Sequence, residues 1–162
     1  FRLIINEISS FICSNIGDEV KVYVKAESET YRTYVGGVIG FMGEGNIIIS
    51  NVESNINVTG STCDVGGITG IAHYGNIFEN CICTGNVTLV NANDAGDQLE
   101  IGGIAGVWMN SKYGKVTLRK CNFTGTLKSA LNGVDKSEEV AGNRFTGRKY
   151  YPNSNEGELI IE

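Results

Sequence analysis

The sequence VGGITG at residues 65–70 recurs with the same spacing of glycines at residues 35–40 (VGGVIG) and 101–106 (IGGIAG). Gly36 and Gly66 are 30 residues apart, and Gly66 and Gly102 are 36 residues apart. Self-similarity at this period is typical of proteins in which successive passages of the chain stack on one another. The glycines that define the repeat are Gly36, Gly37, Gly40, Gly66, Gly67, Gly70, Gly102, Gly103 and Gly106.

The residues that follow each copy recur as well. The sequence GNI stands at residues 45–47 and 75–77, and NVT stands at residues 57–59 and 86–88. The third copy is followed by the related sequence KCNFTGTL at residues 120–127. Short β segments joined by glycine or asparagine corners are too short to fold alone, and stacking them buries a continuous core.

This pattern predicts an all-β, single-stranded β-solenoid with about three full coils and degenerate terminal coils. We expect a right-handed parallel β-helix, because crossovers between parallel strands are right-handed in general. A corner of such a coil needs either a positive φ or a close approach of two backbone segments, and glycine provides both. The sequence therefore predicts that the motif glycines form corners.

The chain divides into three segments of one domain. Residues 1–34 are predicted to form a degenerate N-terminal coil, because residues 10–15 (SFICSN) match residues 80–85 (NCICTG) in type. Residues 35–128 hold the three motif copies. Residues 129–162 are predicted to form a degenerate C-terminal coil or cap, in which residues 143–147 (NRFTG) repeat part of residues 121–125 (CNFTG) and residues 159–161 form a last strand. Since the sequence starts with phenylalanine, we expect a fragment of a longer chain.

Composition excludes two classes of partner. The net charge of −5 and the isoelectric point near 4.9 provide no basic surface, so nucleic acid is not an expected partner. No apolar run approaches the ~20 residues that a membrane helix needs, so we expect no membrane insertion within this segment.

The motif copies, followed by GNI, a short strand and an NVT-like segment, resemble the GLUG-type repeats of bacterial surface and secreted proteins. The resemblance covers roughly residues 34–127. It implies a β-solenoid in exported, often multidomain proteins of adhesin or protease-associated type, and therefore an extracellular or cell-surface location. The third copy departs from the family pattern by its longer spacing.

The five cysteines are an odd number without a C-x-x-C pair. The alignment of the copies places Cys121 next to Cys81, and it places Cys13 in the column of Cys83 but two coils away. Only Cys81 and Cys121 could therefore approach disulfide distance. We expect buried free thiols that pack as small apolar side chains.

Acidic residues and the single histidine offer no catalytic arrangement. His73 follows a glycine corner and is expected to be solvated, with no partner for a catalytic triad. Glu53 aligns with Ile82 and Glu79 aligns with Ser50, so we expect no column of acidic residues such as a polysaccharide-cleaving β-helix needs. Residues 91–100 (NANDAGDQLE) resemble a calcium loop, but the glutamate that an EF-hand requires falls on Gly102, which favours a solvated loop.

The sequence therefore favours a non-catalytic structural or adhesive module with no cofactor and no metal. Its partners would be a host or matrix protein, or a surface glycan. The alternative is a carbohydrate-binding module that uses exposed aromatic residues, and the candidates are Tyr74, Trp108 and Tyr113, which follow the glycine corners. A polysaccharide-active β-helix enzyme is the third hypothesis.

Overall fold

The structure is a computed structural model of the chain. It describes residues 7–8, 11–13, 21–25, 34–61, 64–92, 100–109, 114–140, 145–147 and 157–162. Within these ranges the protein is nearly all β, with one short helix, so its core is built between sheets.

Three successive passages of the chain contain five strands each, and they follow a shorter segment of three strands. The shorter segment contains β1 (Glu7–Ile8), β2 (Phe11–Cys13) and β3 (Lys21–Lys25). The first passage contains β4 (Tyr34–Gly36), β5 (Ile39–Met42), β6 (Ile48–Ser50), β7 (Val52–Ser54) and β8 (Asn57–Ser61). The second contains β9 (Asp64–Gly66), β10 (Thr69–Ala72), β11 (Ile77–Glu79), β12 (Ile82–Cys83) and β13 (Val87–Ala92). The third contains β14 (Ile101–Gly102), β15 (Ala105–Trp108), β16 (Lys115–Arg119), β17 (Asn122–Phe123) and β18 (Leu127–Leu131).

Each passage visits five sheets in the same order. Sheet I is β4-β9-β14 and sheet II is β5-β10-β15. The chain continues with β19 (Val134–Asp135), α1 (Ser137–Val140) and β20 (Glu158–Ile161). Sheet III is β1-β6-β11-β16-β20, and sheet IV is β2-β7-β12-β17. Sheet V is β3-β8-β13-β18-β19. All neighbouring strands are parallel except the antiparallel pair β18–β19. The architecture of stacked parallel sheets is compatible with a β-helix.

The three glycine motifs stack in register. Val35 pairs with Val65, and Val65 pairs with Ile101. The glycines that follow them pair in the same way. The predicted alignment of Glu79 with Ser50 and of Glu53 with Ile82 is also confirmed. The spacing of the motif therefore predicts the strand register correctly.

The inward-facing residues form apolar columns. In sheet III the column is Ile49, Phe78 and Leu118, all fully buried. In sheet I the column is Val35, Val65 and Ile101, and a third column in sheet V begins with Val58 and Val87. Each large side chain rests on its equivalents in the neighbouring passages, so no passage buries its core alone.

The glycine corner, between sheets I and II, works by close approach and not by positive φ. None of the nine motif glycines has a positive φ. A Cβ on Gly67 would overlap the carbonyl oxygen of Gly103 and lie 2.5 Å from Cys83 Sγ. Of the two predicted reasons for glycine, the positive φ is therefore wrong at this corner and the close approach is correct.

Positive φ angles occur in other turns, among them a second corner that lies between sheets III and IV. This asparagine corner consists of Asn51, Asn80 and Lys120, with φ of 55°, 52° and 48°. The preceding residues pair across the three passages, so the corner residues are equivalent. Asn80 Nδ2 donates to Asn51 Oδ1 at 3.3 Å.

The C-terminal part differs from the predicted coil in one respect. Residues 145–147 do not stack on residues 123–125, because Thr146 pairs with Ala105 in β15 and Gly147 N donates to Ala105 O. They extend sheet II over the third glycine motif. Helix α1 packs against β18 and buries Val140. The predicted last strand is present as β20, which pairs with β16.

Candidate functional site

Four half-buried rings form a continuous row on one edge of the protein. This aromatic row consists of Tyr34, Phe41, His73 and Tyr74. The ring centroids are 5.4 Å apart for Tyr34 and Phe41, 5.2 Å for Phe41 and His73, and 6.3 Å for His73 and Tyr74. All three ring pairs are tilted, which is a favourable arrangement for aromatic side chains.

A buried asparagine fixes the turn that carries the second half of the row. Asn76 is fully buried, and its Oδ1 accepts a hydrogen bond from His73 N at 2.9 Å. Its Nδ2 donates to the carbonyl oxygens of Gly43 and Gly45 at 3.0 and 3.1 Å. Because one side chain satisfies groups in two passages, it sets the position of the second turn relative to the first.

His73 is half-buried, and the prediction that it is solvated is wrong. Its ring contacts Phe41, and its Nδ1 is buried with no hydrogen-bond partner in the part of the chain that the structure describes. Burial lowers the pKa of His73, and the nearby carboxylate of Glu44 opposes this effect only in part. The histidine is therefore neutral at pH 7, and no nucleophile lies beside it among the side-chain contacts of the described residues.

Tyr74 is the predicted contact residue that lies in this row. Its hydroxyl donates a hydrogen bond to the carboxylate of Glu44 in the preceding passage. A Cβ on Gly114 would lie 3.2 Å from the Tyr74 side chain, so the following passage covers part of the tyrosine. Tyr74 is consequently held between two passages, with one side of the residue partly exposed.

Trp108 stands at the end of β15, in register with Ala72 and one passage further along the stack. The indole is half-buried and packs against the apolar core. Part of its surface therefore serves packing, and only the remainder is accessible to a ligand. Tyr113, the third predicted contact residue, lies outside the described residues.

One acidic column is present that the sequence analysis missed. Asp64 and Glu100 precede the second and third glycine motifs, and the register of the next residues places them in neighbouring strands. Asp64 is 1% exposed and Glu100 is 4% exposed. Two carboxylates in one column are the arrangement that glycoside hydrolysis requires, but a glycan cannot reach side chains buried to this extent. Their position offers no accessible catalytic pair.

Two further expectations concern metal binding and membrane insertion. Within the described residues there is no group of three or more histidine, cysteine, aspartate or glutamate side chains that could hold a metal ion. Residues 93–99, which form most of the predicted solvated loop, lie outside the described ranges. In the same ranges no helix has the length and apolar character needed to cross a membrane.

The asparagines of the two NVT sequences, which match the N-x-T pattern of glycosylation sites, take part in stacking. Asn57 Oδ1 accepts a hydrogen bond from Asn86 N at 2.8 Å. Asn86 Oδ1 in turn accepts hydrogen bonds from the backbone N and the hydroxyl of Thr126 at 3.0 and 2.8 Å. The asparagines at this place in the first and second passages therefore link each passage to the next, which explains the recurrence of NVT without glycosylation.

Comparisons with family models, with curated proteins and with solved structures found no match to this chain. The functional argument consequently rests on the geometry of the protein itself.

Sequence reasoning missed two of the four members of the aromatic row and both members of the acidic column. Tyr34, Asp64 and Glu100 share the position directly before the glycine motif, so aligning one more residue would have found the column. Phe41 gives a weaker signal, because its equivalents in the other passages are aliphatic. Its contact with His73 depends on packing between passages and not on a sequence pattern.

Proposed function

We propose that this chain is a non-catalytic structural or adhesive module of a bacterial cell-surface or secreted protein. It forms a right-handed parallel β-solenoid of about three full coils, with degenerate coils at both ends. The observation that supports the proposal is that three successive passages each contribute one strand to the same five sheets, in the same order. A stack of this kind holds its ends apart and presents side chains at regular intervals.

The resemblance of the motif to GLUG-type repeats supports an extracellular location and an adhesin-like role. The chemistry of the described surface agrees with a role that needs no catalytic centre. The acidic column of Asp64 and Glu100 is buried, and His73 lies beside aromatic rings, the amide of Asn76 and the carboxylate of Glu44. Right-handedness is proposed on the general preference for crossovers between parallel strands.

Force spectroscopy tests the structural part of the proposal. In a solenoid each passage contacts only its neighbours, so we expect stepwise unfolding from the ends. A passage of about 30 residues should release roughly 100 Å of chain at ~3.5 Å per residue. A single step that releases the whole chain would contradict a stack of separable coils.

Binding and turnover assays test the functional part. The protein is immobilised and probed with matrix proteins and a glycan array, and it is separately incubated with a panel of polysaccharides. We expect no change in polysaccharide chain length. Cleavage of any polysaccharide that is lost in the Asp64→Asn variant would instead support the enzyme hypothesis.

A carbohydrate-binding module is the second candidate, and the partly exposed Tyr74 and Trp108 favour it. Aromatic rings bind sugars by stacking, and these two residues lie on neighbouring passages. If this function is correct, the glycan array gives a signal that Trp108→Ala abolishes while the melting temperature stays within a few degrees. A signal that survives in both Trp108→Ala and Tyr74→Ala would exclude this site.

A further inference from the structure

Two cysteines stand side by side in neighbouring passages. Ile82 pairs with Asn122, so Cys81 and Cys121, which directly precede them, occupy equivalent positions. Neighbouring strands lie ~4.8 Å apart, which is within the range of Cα separations that a disulfide spans. Each thiol also shifts the pKa of the other. The predicted stacking of Cys121 on Cys81 is thus confirmed.

The surroundings of the two sulfur atoms are equivalent. Cys81 Sγ lies 3.5 Å from the carbonyl oxygens of Ile49 and Glu79. Cys121 Sγ lies 3.6 Å from the carbonyl oxygen of Phe78 and 3.5 Å from that of Arg119. Since Phe78 is the equivalent of Ile49, and Arg119 that of Glu79, both side chains point in the same direction. Rotation of one thiol about its Cα–Cβ bond to another staggered position would change its direction relative to the other thiol.

The two thiols differ in accessibility. Cys81 is fully buried, as predicted, whereas Cys121 is partly exposed, which corrects the expectation of burial. The reason is position, because Cys121 directly precedes β17, the edge strand of sheet IV. Interaction with Cys81 lowers the pKa of Cys121, whereas interaction with Cys121 and burial both raise the pKa of Cys81. Cys121 therefore ionises first and is the one that solvent reaches.

We propose that Cys81 and Cys121 are a site of reversible oxidation, and that a small-molecule disulfide converts them to a disulfide that joins the second and third passages. The Cys121 thiolate attacks one sulfur of the oxidant, whose S–S bond breaks and releases one thiolate. The buried Cys81 thiol then attacks the sulfur of Cys121 as its proton passes to the first released thiolate, and this step releases the second thiolate. Both released thiolates take up protons, so two protein thiols and one disulfide yield one protein disulfide and two small thiols.

Cys83 is not a competing partner in this arrangement. Its side chain is fully buried, and its neighbours in register are Ser54 and Phe123. Burial also raises the pKa of Cys83 to about 11, and no cysteine stands beside it in either neighbouring passage. The Cys83→Ala variant therefore provides a background in which the fragment cleaved after Glu79 contains Cys81 as its single cysteine.

The test is oxidation of the folded protein with oxidised glutathione, followed by non-reducing peptide mapping with cleavage after lysine, arginine and glutamate. In the Cys83→Ala variant we expect the fragment that begins at Asn80 to be linked to the fragment that begins at Cys121. The intact mass falls by about 2 Da. Because the bond closes a loop of some 40 residues, the melting temperature should rise by about 10 °C and return on reduction.

Two controls test whether the link depends on Cys121 and whether it also forms without the Cys83→Ala substitution. Cys121→Ser alters a partly exposed position, so the variant should fold, lose the crosslink and show no oxidation-dependent rise in melting temperature. The wild-type protein, mapped with fragment sequencing, checks that the Cys83→Ala background has not created the link. Free thiols at both positions after oxidation, or Cys121 linked to Cys13, to Cys63 or to a second molecule, would overturn the proposal.

Discussion

The glycine corner and the asparagine corner both turn the chain from one sheet to the next, but they impose different constraints. At the glycine corner the backbone is ordinary, and a side chain is excluded because Gly67 lies against Gly103 and Cys83 of other segments. At the asparagine corner space is available, and the constraint is the left-handed backbone, which even Lys120 adopts. The close approach at the glycine corner acts between passages, whereas the left-handed backbone at the asparagine corner is a property of one residue. The glycine corner should therefore tolerate far fewer substitutions.

Gly67→Ala tests the close-approach constraint at the glycine corner, and it should cause the largest loss of stability. The new Cβ would overlap a backbone oxygen that cannot move without shifting the third passage. We expect a loss of about 3 kcal/mol or more and a fall in melting temperature of roughly 6–12 °C, measured by circular dichroism.

Gly43→Ala is the matched control for this substitution. Gly43 has no positive φ, and a Cβ there would lie 3.7 Å from the Phe41 ring, which is ordinary contact. We expect a change within about 0.5 kcal/mol. Equal losses at Gly43 and Gly67 would refute the close-approach explanation of the glycine corner.

The turn at Asn76 should rank second, because one buried side chain there bonds to the backbone of two passages. Asn76→Ala leaves the carbonyl groups of Gly43 and Gly45 and the backbone N of His73 without the hydrogen bonds to the buried amide. The expected cost is about 2–3 kcal/mol by urea denaturation. Asn46, the asparagine of the first GNI copy, is exposed, and Asn46→Ala should cost much less. An equally large loss at Asn46 would contradict the role assigned to the buried amide.

Lys120→Asn tests the asparagine corner and, unlike the preceding substitutions, should stabilise the protein. Lysine in the left-handed region carries a conformational cost that asparagine largely avoids, and Asn51 and Asn80 already occupy the equivalent positions. We expect a gain of about 0.5–1 kcal/mol, seen as a higher urea midpoint with an unchanged m-value. Lys120→Ala keeps a Cβ without the amide and serves as control. A gain of the same size in Lys120→Ala would show that removal of charge, and not backbone preference, is responsible.

Sequence reasoning predicted the register of this fold well, because the spacing within each copy is conserved between passages. The equal separations of Asn51 from Asn57 and of Asn80 from Asn86 are sufficient to align sheets III to V. The spacing does not predict how deeply each residue of a column is buried. Cys121 is partly exposed because it lies near the edge of its sheet, although its equivalent Cys81 is buried.

The candidate site was harder to predict than the register for the same reason. His73 lies in a turn, where solvation is the natural expectation, and only the packing of Phe41 from the preceding passage buries it. Tyr74 was identified from the sequence, yet its hydrogen bond to Glu44 joins residues 30 positions apart. One passage supplies the backbone that holds each of these side chains, and another supplies their surroundings.

The smallest predicted effect concerns the pH dependence of stability at this turn. Burial lowers the pKa of His73 in the folded protein, so the unfolded chain binds a proton more readily than the folded one. The stability that depends on neutral His73 is complete above the unfolded pKa near 6.5 and declines as the pH falls below it. Urea unfolding at pH 7.5 and pH 5.5 should show a smaller loss in His73→Gln than in the wild-type protein. Because the ring is only half-buried and Glu44 partly offsets the effect, the difference should be smaller than that at either corner. Identical losses in both proteins would mean that the ring titrates as if solvated, and that the aromatic row does not shield it.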